Sequence, residues 1–109
     1  MKKMCSLVPA CVLLALLPLT ASAYPIDVKK DLNGMKIDYE TFDTDSDIGS
    51  IRVANFGDVD ASCKAIFSNG PEAPRTRKLD VPAGKHKTAT AKFSRNIIKL
   101  RIELSCIPK

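Results

Sequence analysis

The chain has 109 residues, with 17 Lys or Arg against 12 Asp or Glu, one His, four Cys and no Trp. That length holds about one small domain and excludes anything built from several. The formal net charge is +5, and a single His leaves too few ligands for an ordinary transition-metal site.

Lys2 and Lys3 make a short positive start, residues 12–19 (VLLALLPL) form a compact apolar run, and Ala21-Ser22-Ala23 follows it. Positive, apolar, then small-x-small is the order of a cleavable signal peptide, so residues 1–23 are expected to be removed after Ala23. The apolar run is well short of the ~20 residues of a spanning helix. A lipoprotein signal at Cys11 would need an apolar segment before it, and only residues 4–10 are available, with Pro9 among them. No later stretch is apolar enough to span a bilayer, so the mature chain is expected to carry no transmembrane span.

Residues 24–109 then make one small domain, and domains of this size are marginal without a staple. Cys5 and Cys11 leave with the signal peptide, so Cys63 and Cys106 remain, and an exported compartment is oxidising. Only one intrachain pairing is possible; two free thiols or an intermolecular bond are the alternatives. By the chain-entropy relation, closing that span stabilises the fold by roughly 4 kcal/mol. No Cys-x-x-Cys occurs, which removes thioredoxin-type chemistry.

Charge is divided along the chain. Residues 26–60 hold nine acids against four bases, a net of −5, and residues 61–109 hold eleven bases against three acids, a net of +8. Solvated strand faces would explain this, and so would a basic surface for an anionic partner.

Short alternating runs separated by turn residues follow, the pattern of an all-β domain. Residues 26–30 form a short first strand, ended by the turn dipeptide Asn33-Gly34. Met35, Ile37 and Tyr39 alternate with Lys36, Asp38 and Glu40, and residues 43–49 read as a polar loop. Ile51 and Val53 lead to a turn at Phe56-Gly57-Asp58. Ala61, Cys63, Ala65 and Phe67 share a face, and Asn69-Gly70-Pro71 and Pro74 break the chain. Residues 75–81 make a strand with Leu79 and Val81 inward, stopped by Pro82-Ala83-Gly84; Ala89, Ala91 and Phe93 alternate after it. In the last run Ile98, Leu100, Ile102, Leu104 and Cys106 share one face, opposite Lys99, Arg101, Glu103 and Ser105. Clean alternation places one face in the core and one in water, as in antiparallel sheets. About seven short strands and one bridge on the apolar face give an all-β, Ig-like antiparallel sandwich, with a small barrel as the alternative. The Trp that packs on the bridge of a true immunoglobulin domain is missing.

The runs Val53-Ala54-Asn55-Phe56-Gly57 and Val81-Pro82-Ala83-Gly84-Lys85 resemble the V-x-N-x-G and P-x-G punctuation of bacterial Ig-like modules. Ala23-Tyr24-Pro25-Ile26, residues 67–77 (FSNGPEAPRTR) and residues 98–106 (IKLRIELSC) resemble a family of small exported proteins of Gram-negative bacteria, itself uncharacterised. Some of its members are mislabelled 3-phosphoglycerate kinase. Such a kinase needs two large α/β domains and a phosphate-binding glycine loop, and this chain has room for neither. The resemblance implies an exported module and supplies no catalytic residues.

Three motifs invite chemistry. Asp43-Thr44-Asp45-Ser46-Asp47 begins like an EF-hand loop, but Ile48 stands where the turn needs Gly and Ala54 where a bidentate Glu is needed. Asp43, Asp45 and Asp47 are therefore a weak calcium candidate, and a solvated acidic loop is the plainer reading. His86 lies between Lys85 and Lys87 with no orienting carboxylate in sight, so neither a triad nor any other enzyme activity is expected. Arg75, Arg77 and Lys78 with Lys99 and Arg101 are the candidate surface for an anionic partner, provided that their strands are neighbours. Nucleic acid is a poor fit because the compartment is wrong and aromatics for stacking are scarce. The expectation is a non-catalytic, cofactor-free binding module, periplasmic or secreted, for a protein or an anionic envelope component.

Overall fold

The computed structural model describes residues 24–109, and the expected signal peptide lies outside the described residues. Seven strands make up the fold: β1 (Ile26–Asp31), β2 (Ile37–Asp45), β3 (Ile48–Asn55), β4 (Ala61–Asn69), β5 (Arg75–Val81), β6 (His86–Lys92) and β7 (Leu100–Pro108). There is no helix among the described residues. The strands form a four-stranded sheet in the order β1-β7-β4-β5 and a three-stranded sheet in the order β2-β3-β6. Every pairing is antiparallel except β1 with β7, which is parallel.

One core lies between the sheets, and the alternation in the sequence explains who enters it. Cys63, Ala65 and Phe67 of β4 and Leu100, Ile102, Leu104 and Cys106 of β7 meet Ile51 and Val53 of β3 and Ala89 and Ala91 of β6. Phe67, Ile51, Val53, Leu100 and Ile102 lose all contact with solvent. Gly49 is required on β3, because a Cβ there would overlap Leu100 Cδ2. The Tyr24 hydroxyl donates to the Ile48 carbonyl at 2.5 Å, which ties the first described residue to the other sheet.

The Cys63–Cys106 bridge is formed, with Cα atoms 4.0 Å apart. The two cysteines are direct cross-strand partners on β4 and β7, so the bridge lies inside one sheet. A disulfide and the lack of any helix long and apolar enough to cross a membrane among the described residues are compatible with an oxidising extracellular compartment.

Two local expectations change, and a third position keeps its turn in an unexpected setting. Residues 43–49 are not a loop: β2 continues to Asp45, β3 starts at Ile48, and only Ser46-Asp47 turns the hairpin. A register shift between Phe42 and Asp45 absorbs the mismatch, so a polar composition did not stop the ladder. Ile98 does not enter the core; it is 84% exposed, and Ile97 is buried instead. The cause is the Ile97 N–H, which donates to the Ser46 carbonyl at 2.7 Å and holds the segment before β7 out of strand alternation. Asn33 and Gly34 take the expected left-handed turn, with φ of 50° and 75°, yet they join strands of different sheets and not a hairpin.

Candidate functional site

One end of the fold gathers the β1–β2, β3–β4 and β5–β6 connections and the end of β7, and Asn55 organises it. Asn55 closes β3 as a core residue that is 1% exposed. Its Nδ2 donates to the carbonyls of Val59 (2.7 Å) and Val81 (3.1 Å), and its Oδ1 accepts from the Gly57 N–H at 2.9 Å. Its backbone N–H donates to the Lys85 carbonyl and its carbonyl accepts from Gly84. Two loops, β3–β4 and β5–β6, are thereby fixed by one residue, whose buried amide satisfies polar groups that would otherwise be orphaned. The Phe56 N–H donates to the Lys36 carbonyl at 2.8 Å, and the Lys109 N–H to that of Asp60 at 2.8 Å.

This pinned end presents apolar surface. Phe56 is 70% exposed, Val59 50% and Ile107 55%. Val59 borders an open groove of about 280 Å³ with Asn33, Met35, Lys36, Asn55 and Pro108, whereas Phe56 lies with Tyr39, Arg52 and Ala54 on the outer face of the three-stranded sheet. Large apolar side chains held out to water by rigid loops are the usual form of a recognition surface. Nothing in the reading of strands singled out Asn55, although the Asn-x-Gly spacing at residues 55–57 carries the signal: an Asn side chain caps the N–H two residues on.

The five cations expected to form one stripe are dispersed. β4 lies between β5 and β7, so the condition for the stripe is not met. Lys78 and Arg101 point outward from the four-stranded sheet, Lys78 opposite Lys64 and Arg101 opposite Asp27. Lys99 pairs with Asp27 at 2.9 Å. Arg75 and Arg77 lie on the other face of β5 and reach across to β6. The Arg77 Nε donates to the Thr90 carbonyl (3.0 Å) and its Nη1 to that of Thr76 (3.0 Å). The Arg75 Nε donates to the Lys92 carbonyl (3.3 Å) and its Nη1 to that of Ala73 (2.6 Å), while its guanidinium lies 5.1 Å from the centre of the Phe93 ring. Both arginines therefore fasten the two sheets along the β5–β6 flank.

Glu72 anchors the neighbouring turn. Its carboxylate accepts from Ser94 N–H (2.9 Å), Arg95 N–H (3.1 Å) and Asn69 Nδ2 (3.0 Å), and Arg75 lies 3.7 Å away. The backbone donor of Ser94 contributes most to holding this carboxyl below its usual range, against a smaller opposing effect of burial. Asp43, Asp45 and Asp47 do not converge on a cation: among the described residues no group of three His, Cys, Asp or Glu side chains is placed to hold a metal ion. Asp45 instead accepts from the Ser46 N–H, and Asp47 pairs with Lys92 at 3.5 Å. Burial, and then these three carboxylates, push the Tyr24 phenol above its ordinary value. His86 opens β6 as an exposed residue opposite Ala54.

Comparison with family models, with curated proteins and with solved structures finds no match to this chain.

Proposed function

We propose that this chain is an exported, non-catalytic binding module of the cell envelope, acting in the periplasm or outside the cell after cleavage behind Ala23. The observation that carries the reading is the loop end pinned by Asn55, which holds Phe56 and Val59 in water without any fold requirement for their exposure. A preorganised loop end binds without the cost of ordering itself, which favours recognition of a macromolecule. Export is supported by the Cys63–Cys106 bridge, which suits an oxidising compartment.

The Ig-like reading rests on seven mostly antiparallel strands in sheets of four and three around one core. An immunoglobulin constant-type domain has the same strand count but keeps its second strand beside the first and its last strand in the other sheet. Here β2 and β7 have exchanged sheets, and the bridge joins neighbours within a sheet. The proposed architecture is therefore a relative of that sandwich and not the constant-type order itself.

The test is photo-crosslinking in living cells from position 56, with the exposed position 64 on the inner strand β4 as control. A defined partner band from 56 and not from 64 supports the module. No adduct at 56, or adducts of equal strength at both positions, overturns it. Recovery of the chain uncleaved from the cytoplasm would overturn the export half separately.

A further inference from the structure

The division of charge along the sequence becomes a division in space. β1 and β5 are the edges of the four-stranded sheet and β2 and β6 the edges of the three-stranded one. β1 and β2 share one flank, where Lys30 Nζ lies 5.5 Å from the centre of the Tyr39 ring. β5 and β6 share the other, through the Arg75 and Arg77 bonds. β1 and β2 together carry six acids against Lys29 and Lys30, a net of −4. β5 and β6 carry five bases against Asp80, a net of +4 with His86 neutral. β2 holds no base and β6 no acid. The three inner strands contribute little: one base each on β3 and β4, and Arg101 against Glu103 on β7.

We propose that these equal and opposite flanks are complementary contact surfaces for a second copy of this chain, the β1–β2 flank of one molecule against the β5–β6 flank of the next. Two different surfaces meet, so the contact is heterologous and builds open rows, not closed pairs. Strands of up to nine residues in two layers give a flank of order 400 Å² per copy, at the low end for a specific contact. Such a contact is transient and governed by charge. It also stops short of strand addition, because Arg75 and Arg77 occupy the carbonyls of Thr76, Thr90 and Lys92 that a foreign strand would need. The proposal does not depend on what Phe56 and Val59 recognise.

Sedimentation of the oxidised protein tests it at about 1 mM, where contacts of this size become populated. In about 20 mM salt the weight-average mass should roughly double, and it should return to that of the single chain in about 500 mM salt, where exposed charges are screened beyond a few ångströms. Bringing the acidic flank to zero net charge (Glu40→Lys with Asp43→Lys) or the basic flank to zero (Lys78→Glu with Lys87→Glu) should each abolish association. Mixing the two variants should restore association in pairs, since one keeps its +4 flank and the other its −4 flank. None of these four side chains is used in a hydrogen bond or ion pair given above, and unchanged melting temperatures would show that the fold is retained. A wild-type chain that stays monomeric at low salt overturns the proposal, as does association that ignores the reversals. Monomeric protein that binds vesicles containing anionic lipid through Lys78 and Lys87 would also overturn it and assign the basic flank to a membrane surface.

Discussion

Cys63 and Cys106 stand directly opposite each other on β4 and β7, at a sequence separation of 43. The bridge therefore spans β5, β6 and the connections around them. Most of the basic half of the protein is a loop closed by one covalent bond. By the entropy relation this stabilises the fold by roughly 4 kcal/mol. Cys106→Ser should lower the melting temperature by about 15–30 °C in a domain of this size. Calorimetry under non-reducing conditions checks it, and an unchanged curve would refute the role.

Arg77 acts on two edge strands at once. Replacing it with Met keeps the aliphatic stem but frees the Thr76 and Thr90 carbonyls. Hydrogen bonds from a charged donor contribute about 1.5–3 kcal/mol each, discounted here because Arg77 is exposed, so a loss of about 1 kcal/mol is expected. The sharper readout is faster amide exchange in β6, together with more aggregation on heating, as the uncovered edge accepts other strands.

Glu72 makes stability depend on acid. Its carboxyl is held below the usual range by the Ser94 and Arg95 N–H groups, the Asn69 amide and the nearby Arg75. A lowered folded value means that the unfolded chain takes up the proton first as pH falls. The contribution is thus complete at neutral pH and is lost as pH drops below the ordinary carboxylate range. Glu72→Gln should lower the melting temperature at pH 7 and bring the two proteins closer together in acid. A difference that stays constant with pH would refute it.

Asn55→Ala should be the most damaging single change at the loop end. It leaves the Val59 and Val81 carbonyls and the Gly57 N–H without their partner, at a cost of about 2–4 kcal/mol for groups of this kind. Amide exchange should rise in residues 56–60 before the strands are affected. The adduct from position 56 should weaken in the same variant if the fixed loop is what binds.

Gly49→Ala tests the packing of β3 against the Leu100 side chain. The added methyl overlaps Leu100 Cδ2, so either the side chain turns or the sheets part, at a cost of about 1–3 kcal/mol. Leu100→Ala in the same chain should recover less than it loses, because it opens a hole in the core. A Gly49→Ala protein as stable as the parent would mean that the interface is looser than its packing indicates.

The sequence by itself determined the strands, their inward faces and the bridge, because a period of two is a local property and one surviving pair of cysteines admits one bond. Phe67, Leu79, Ala89, Leu104 and Cys106 are buried where alternation puts them. Where a distant backbone group intervened, the local pattern failed. Ile98 lost its place to Ile97 through a bond to Ser46, and the acids after Phe42 joined a hairpin instead of a loop. Only the tertiary structure decided which strands are neighbours, since pairing is set by contacts far apart in the chain. It separated Arg75 and Arg77 from Arg101 by interposing β4, and it made Asn55 the post on which two loops hang. It also put β2 and β6 at opposite edges, which turned a charge difference between two halves of a sequence into two opposite sides of a molecule.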